Sequence, residues 1–192
     1  MSDSEVDEEQ AVRAVVLDIF PNGRSSDGRP GYDREPLAYA LGTRDFGLYE
    51  VIFDDTPEVG IDDEVSVDPP GENVGRVRTV EYEDLSSGAQ SELEYVVADI
   101  VERDEGQFVS FYNDAQPITL RLHQLNLLPG IGKKLRNSIL DERKRKPFDD
   151  FEDLEERVAG LHDPQGVLVE RILEELRDED LKYKAFVGRT DE

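Results

Sequence analysis

Residues 127–135 read LLPGIGKKL. A phosphate-cradling P-loop would need glycine where Leu127 stands and serine or threonine where Lys134 stands, and a dinucleotide fingerprint would need glycine at Leu135. Neither pattern is met. The flanks carry a helical pattern instead. Leu122 and Leu125 supply an apolar edge ahead of Pro129, which stops a helix. Ile131, Leu135 and Ile139 recur at helical spacing, so a second helix starts near Gly132. The stretch is therefore expected to be a hairpin, 127–134, between helices over 118–126 and 132–145. Gly130 and Gly132 reach backbone angles that other residues avoid, and they offer no side chain to block an approaching atom. Ile131 between them turns inward. The amides of 130–134 then point outward at a helix N-terminus, where unpaired N–H groups and the helix dipole attract an anion.

The charge pattern agrees. Lys133, Lys134, Arg136, Arg143, Lys144, Arg145 and Lys146 place seven of the chain's 22 cations in one short window, opposed only by Asp141 and Glu142. At about 100° per residue, Lys133, Arg136, Arg143 and Lys144 share one side of the helix, and Leu135 and Ile139 lie roughly opposite. Cations near a helix C-terminus are favoured by the dipole, but those at its N-terminus are not. A bound anion offsets that cost, and a nucleic-acid phosphate is the natural one. A plain interhelical turn with a glycine cap explains Gly130. It gives no reason for Gly132 in the first helical turn, where glycine costs about 1 kcal/mol against alanine.

Leu128, Pro129, Gly130, Ile131, Gly132, Lys133 and Lys134 thus resemble the helix-hairpin-helix motif, which grips the sugar-phosphate backbone without reading bases. Such units often come in pairs. The segment DFEDLEERVAGLHDPQGVLVERILEEL has the shape of a second one, with helices over 149–158 and 164–178 and a hairpin over 158–164. Gly160 and Leu161 align with Gly130 and Ile131, but His162 replaces the second glycine and Asp163 stands where a lysine stood. This copy reads as a packing partner.

The remainder bounds the class. The chain has 192 residues, 46 acidic side chains and a net charge of −24. Its apolar residues are periodic and include 7 Tyr and 8 Phe, so the composition is that of a folded protein with a carboxylate-rich surface. Two readings of that surface stand. One is adaptation to molar salt, where a Debye length of about 3 Å screens self-repulsion. The other is docking on a basic partner. No span of membrane length and no secretory signal is seen, which points to a cytoplasmic protein. Cysteine is absent and only His123 and His162 are present, so neither metal nor cofactor is expected.

Ahead of the helical half, 11–85 reads as short strands with turn punctuation. After an acidic tail (1–10) come AVRAVVLDIF, a long loop over 21–36, then strands over 37–42, 46–53, 64–69 and 75–83. Five such strands predict a small OB-like barrel. A helical domain follows over 86–188, opening with SSGAQSELEYVVADIVERD, which Ser86 or Ser87 would cap, and a short helix over Glu105–Asn113. The fold class is therefore α+β, a small barrel followed by an all-α domain. Barrels of this type bind single strands with basic and aromatic side chains on one face. The candidates for that second contact are Arg24, Arg29, Tyr32 and Arg34 in the loop, and Arg76 and Arg78 on a strand, with Asp27, Asp33 and Glu35 nearby to neutralise the loop arginines.

Taken from Val12 to Val187, the chain resembles an archaeal family of uncharacterised nucleic-acid-binding proteins that join an OB-like barrel to a paired helix-hairpin-helix domain. The match is carried by VLDIFPNGRSSDGRPGYDREPLAYALG, by ELEYVVADIV and above all by ITLRLHQLNLLPGIGKKLRNSILDERKRKPFDDFEDL. The resemblance implies RNA metabolism or translation as the setting and favours RNA over DNA. No pair among the carboxylates stands out as acid and base, and no serine–histidine or cysteine arrangement occurs, so catalysis is not expected. His123 reads as a packing or surface histidine of the first hairpin helix. The rival function is an acidic adaptor that docks on a basic ribosomal or transcription protein.

Overall fold

The computed structural model describes residues 10–25 and 28–188. The acidic tail ahead of Gln10, and Asp27, lie outside them. The described residues form two compact units, one running to Val96 and taking up Phe186–Gly188, the other spanning Val97–Ala185.

The first unit is built on β1 (Val12–Phe20), β2 (Leu37–Gly42), β3 (Leu48–Phe53), β4 (Glu64–Asp68) and β5 (Val74–Thr79). Their order is β4-β1-β2-β3-β5, and every neighbouring pair is antiparallel. Alternation sorts the side chains by face. Ala14, Val16, Ala38, Ala40, Val51, Phe53, Val65 and Val67 make one apolar cluster. The sheet curls into a half-barrel, with β4 and β5 at its edges and no ladder between them among the described residues. The central strand β2 is buried along its whole length.

Residues on the opposite face line up in rows across the strands. Tyr39 pairs with Glu50 and Glu50 with Arg78. The next row is Leu37, Ile52 and Arg76. Helix α1 (Ser87–Arg103) begins at Ser86, whose Oγ accepts the Ala89 amide at 3.1 Å and donates to Asp18 of β1 at 2.6 Å. Ser86 is thus the cap, and Asp18 holds that cap on the sheet.

The second unit contains α2 (Glu105–Asp114), α3 (Lys133–Arg145), α4 (Phe151–Arg157) and α5 (Pro164–Arg177). The helix expected over 118–126 does not form. Residues 117–123 instead make a tight turn closed by a bridge between Pro117 and His123, with the Ile118 and Thr119 amides both bonded to the Leu122 carbonyl at 2.8 and 2.9 Å. Thr119 is the local cause, because its Oγ1 accepts the amides of Arg121 and Leu122 at 3.2 and 3.0 Å. That side chain competes with the helical ladder. One 3₁₀ turn, Gln124–Leu127, then leads into the hairpin.

At the other end of this unit Arg171 and Glu175 are both buried, with Nε to Oε2 at 3.1 Å. Arg171 also donates to the Tyr183 carbonyl at 2.6 Å, and Glu175 accepts the Ala185 amide at 2.8 Å, so the pair fastens the closing segment to α5. No helix of the described residues is long and apolar enough to cross a membrane.

Candidate nucleic-acid interface

The hairpin turn is bare. Gly130 has φ +78°, in the region that disfavours side chains, and it is exposed. Gly132 is the N-cap of α3 with φ −88° and ψ −168°, an extended conformation open to any residue, and no side chain caps the helix there. A Cβ added at either glycine would meet no atom within 4 Å. Ile131 is buried, and its amide is spent on the Leu128 carbonyl at 3.2 Å. The amides of Gly130, Gly132, Lys133 and Lys134 have no acceptor among the described residues. They stand at the N-terminus of a 13-residue helix. Such donors suit an anion.

Side chains hold this turn in shape. Asn126 donates to the Ile131 carbonyl at 3.3 Å and accepts from Arg136 at 3.1 Å and from the His123 amide at 3.2 Å. Arg136, expected as a nucleic-acid contact, thus also braces the loop. His123 is buried, and its Nδ1 accepts the Leu125 amide at 3.1 Å, so the ring carries its proton on Nε2. Burial lowers its pKa, and Arg143 and Arg136 lower it further. The imidazole is a neutral cap of the 3₁₀ turn, a role that neither packing nor surface placement describes.

The basic helix splits into free and engaged cations. Lys133, Lys134 and Lys144 are exposed and form no ion pair among the described residues. Arg143 turns inward and donates to the Tyr112 and Ala115 carbonyls at 3.1 and 3.0 Å, closing the C-terminus of α2. Of the candidate residues, Gly130, Ile131, Gly132, Lys133, Lys134 and Arg136 come together at the turn, whereas Arg143 is occupied elsewhere.

The second turn repeats the first and seals it. Gly160 has φ +88°, Leu161 is buried, and the Leu161 amide bonds the Val158 carbonyl at 3.2 Å. Here Asp163 is the N-cap of α5, and its Oδ1 accepts the Gly166 amide at 3.0 Å. The helix end that α3 leaves open is closed in α5 by the protein's own carboxylate.

On the half-barrel, Arg24, Arg29, Arg34, Arg76 and Arg78 line one concavity of about 640 Å³ with Glu35, Leu37, Glu50, Ile52 and Val77. Glu50 is buried and pairs with both Arg24 and Arg78, the latter at 2.8 Å. Arg76 pairs with Glu35 at 2.7 Å, and Arg34 Nε donates to the Arg29 carbonyl at 2.8 Å. Arg24 also lies 5.2 Å from the centre of the Tyr39 ring. All five arginines proposed for a second contact are thus in one place. Tyr32 is 87% exposed on the 3₁₀ turn Gly31–Asp33, between Arg29 and Arg34.

Residues 10–188 match the family described as Protein of unknown function (DUF655). The chain belongs to the DUF655 family. It is 38% identical over 177 residues to the uncharacterized protein MJ0038 of Methanocaldococcus jannaschii, a match covering 91% of this chain and 78% of that one. The crystal structure of Af1531 from Archaeoglobus fulgidus, of the same family, is similar with a TM-score of 0.81 and 42% identity, over 91% of this chain and 98% of that one. Both relatives are archaeal.

In this DUF655 chain one residue of consequence escapes a reading of the sequence. Arg157 donates to the Glu142 and Lys146 carbonyls at 2.7 Å each, caps the end of α3 and lies 4.5 Å from the centre of the Phe148 ring. Asp153 holds it at 3.0 Å, four residues back on α4. That spacing was the available signal for the ion pair; the carbonyl partners come from another helix.

Proposed function

We propose that this DUF655 protein binds nucleic acid by its phosphate backbone, through the 127–134 turn acting as a helix-hairpin-helix loop, with the second turn as its structural partner. The carrying observation is the set of exposed, unpartnered amides at Gly130, Gly132, Lys133 and Lys134, flanked by free lysines. Amides and an open helix N-terminus coordinate phosphate oxygens without reading bases. The half-barrel reads as OB-like, and with its arginine cleft it favours RNA, which exposes single-stranded segments more often than DNA does. Binding is the proposed activity, not catalysis, and RNA metabolism or translation is the proposed setting.

The test is fluorescence anisotropy with an RNA hairpin and a DNA duplex, comparing wild type with Lys133→Glu/Lys134→Glu. The expected result is loss of binding with a melting temperature no lower than that of wild type, since acids at the start of α3 suit the helix dipole. Equal binding by the folded double variant removes the hairpin from the interface and moves the weight to a protein-docking role.

A further inference from the structure

We propose that the arginine cleft of the half-barrel holds one nucleotide unit of a single-stranded chain, its phosphate on the guanidinium groups and its base on Tyr32. The inference takes its ligand class from the nucleic-acid reading above but uses none of the hairpin residues. In a chain of net charge −24, five arginines converge on one concavity and only two carboxylates line it. Each of those carboxylates is already ion-paired. The site is positive on a chain whose net charge repels a polyanion.

The arms are also set in advance. Glu50 sits in the middle strand row, between Tyr39 and Arg78, and its buried carboxylate fixes Arg78 from one side and Arg24 from the other. A buried carboxylate is a poor source of stability, since an apolar residue of similar size usually serves as well. Its gain here is geometric, because it orients two guanidinium groups at once. Glu35 does the same for Arg76, and the Arg29 carbonyl for Arg34. Arginine has five N–H donors, so one such contact leaves others to face a ligand. Arg24 Nε is buried with no acceptor among the described residues, a donor that the protein alone does not satisfy. The ion pairs of the cleft join Arg24, Arg76 and Arg78 to Glu50 and Glu35, and none involves the Arg29 guanidinium among the described residues.

Two features select a nucleotide over a bare anion. Leu37 and Ile52, in the strand row next to Glu50, give the concavity an apolar part, and its volume of about 640 Å³ lies within the range of small-ligand sites. Tyr32 is not itself in the lining, but it is exposed on the 3₁₀ turn that lies in sequence between Arg29 and Arg34, which are. An exposed aromatic ring is a stacking platform that accepts any base.

The experiment is isothermal titration of the full chain with pentaadenylate and with inorganic phosphate, at about 0.15 M salt where the Debye length is ~8 Å. Tyr32→Ala and Arg76→Ala, both at exposed positions, are expected to weaken pentaadenylate roughly tenfold each without shifting the melting curve. Inorganic phosphate is expected to compete only weakly. Lys133→Glu/Lys134→Glu should weaken pentaadenylate less than either cleft variant does. Wild-type affinity in Tyr32→Ala and Arg76→Ala overturns the proposal, as does phosphate displacing the oligonucleotide at equal concentration. If the lysine variant alone loses pentaadenylate, the single strand binds the hairpin; the cleft proposal then fails and the hairpin reading stands.

Discussion

Gly132→Asp should make the protein more stable and stop it binding. The N-cap of α5 shows why. Asp163 closes that helix by accepting the Gly166 amide at 3.0 Å, whereas Gly132 leaves the amides at the start of α3 open. Gly132 already has the extended backbone of an N-cap, and an added Cβ meets no atom within 4 Å, so aspartate enters without a clash. Aspartate improves on glycine at an N-cap by a few tenths of a kcal/mol. Its charge at the helix N-terminus adds about 0.3–1 kcal/mol. The expected gain is about 0.5–1 kcal/mol, or roughly 1–4 °C in melting temperature for a chain of this length. The new carboxylate occupies the amides that phosphate needs. Charge-assisted hydrogen bonds contribute about 1.5–3 kcal/mol each, so losing one weakens binding roughly 10- to 150-fold. Differential scanning fluorimetry reads the first effect and anisotropy with an RNA hairpin the second. A more stable variant that still binds at wild-type strength would show that the ligand does not use these amides. A loss of more than about 1 kcal/mol would show instead that the N-cap geometry is not as described.

Four further outcomes follow from the same geometry. Lys133→Ala/Lys134→Ala should lower the slope of log K against log salt by about 2, since each lost phosphate contact removes close to one unit; an unchanged slope places the lysines outside the contact. Arg157→Ala should destabilise the protein by about 2 kcal/mol in urea denaturation, because the last carbonyls of α3 lose a charged donor; a change below ~0.5 kcal/mol would make Arg157 a surface ion pair and nothing more. His123 has a lowered folded pKa, so the folded state resists protonation; stability is present above the unfolded value of about 6.5 and declines as pH falls below it toward the folded pKa. The urea midpoint should drop as pH falls below about 6.5, and His123→Asn, which caps without titrating, should flatten that part of the profile. Ile131→Ala should cost about 2–5 kcal/mol as a buried cavity, and a neutral result would mean that the turn is not anchored by this side chain.

The strands of the half-barrel were legible because a short unbroken apolar run such as LAYALG and an alternating piece such as EVSVDP are both local signals. The amphipathic helices were legible for the same reason at their own period, and Ser86 as a cap followed from side-chain chemistry. The segment 118–126 misled because Leu122 and Leu125 have helical spacing while Thr119 offers the backbone a better partner than the helix does. Arg143 misled in another way. Its place on a helix wheel says nothing of the α2 carbonyls waiting opposite.

By itself the sequence determined the chemistry of the turn: a glycine at positive φ, an inward isoleucine, a second glycine with no internal reason to be one, and lysines after it. Backbone preference and side-chain size act over a few residues, so adjacent letters suffice. Only the tertiary structure decided which cations are free, and that Tyr39, Glu50 and Arg78 form one row beneath an arginine cleft. Strand register joins residues far apart in the chain, and a shift of one residue would turn Glu50 to the other face.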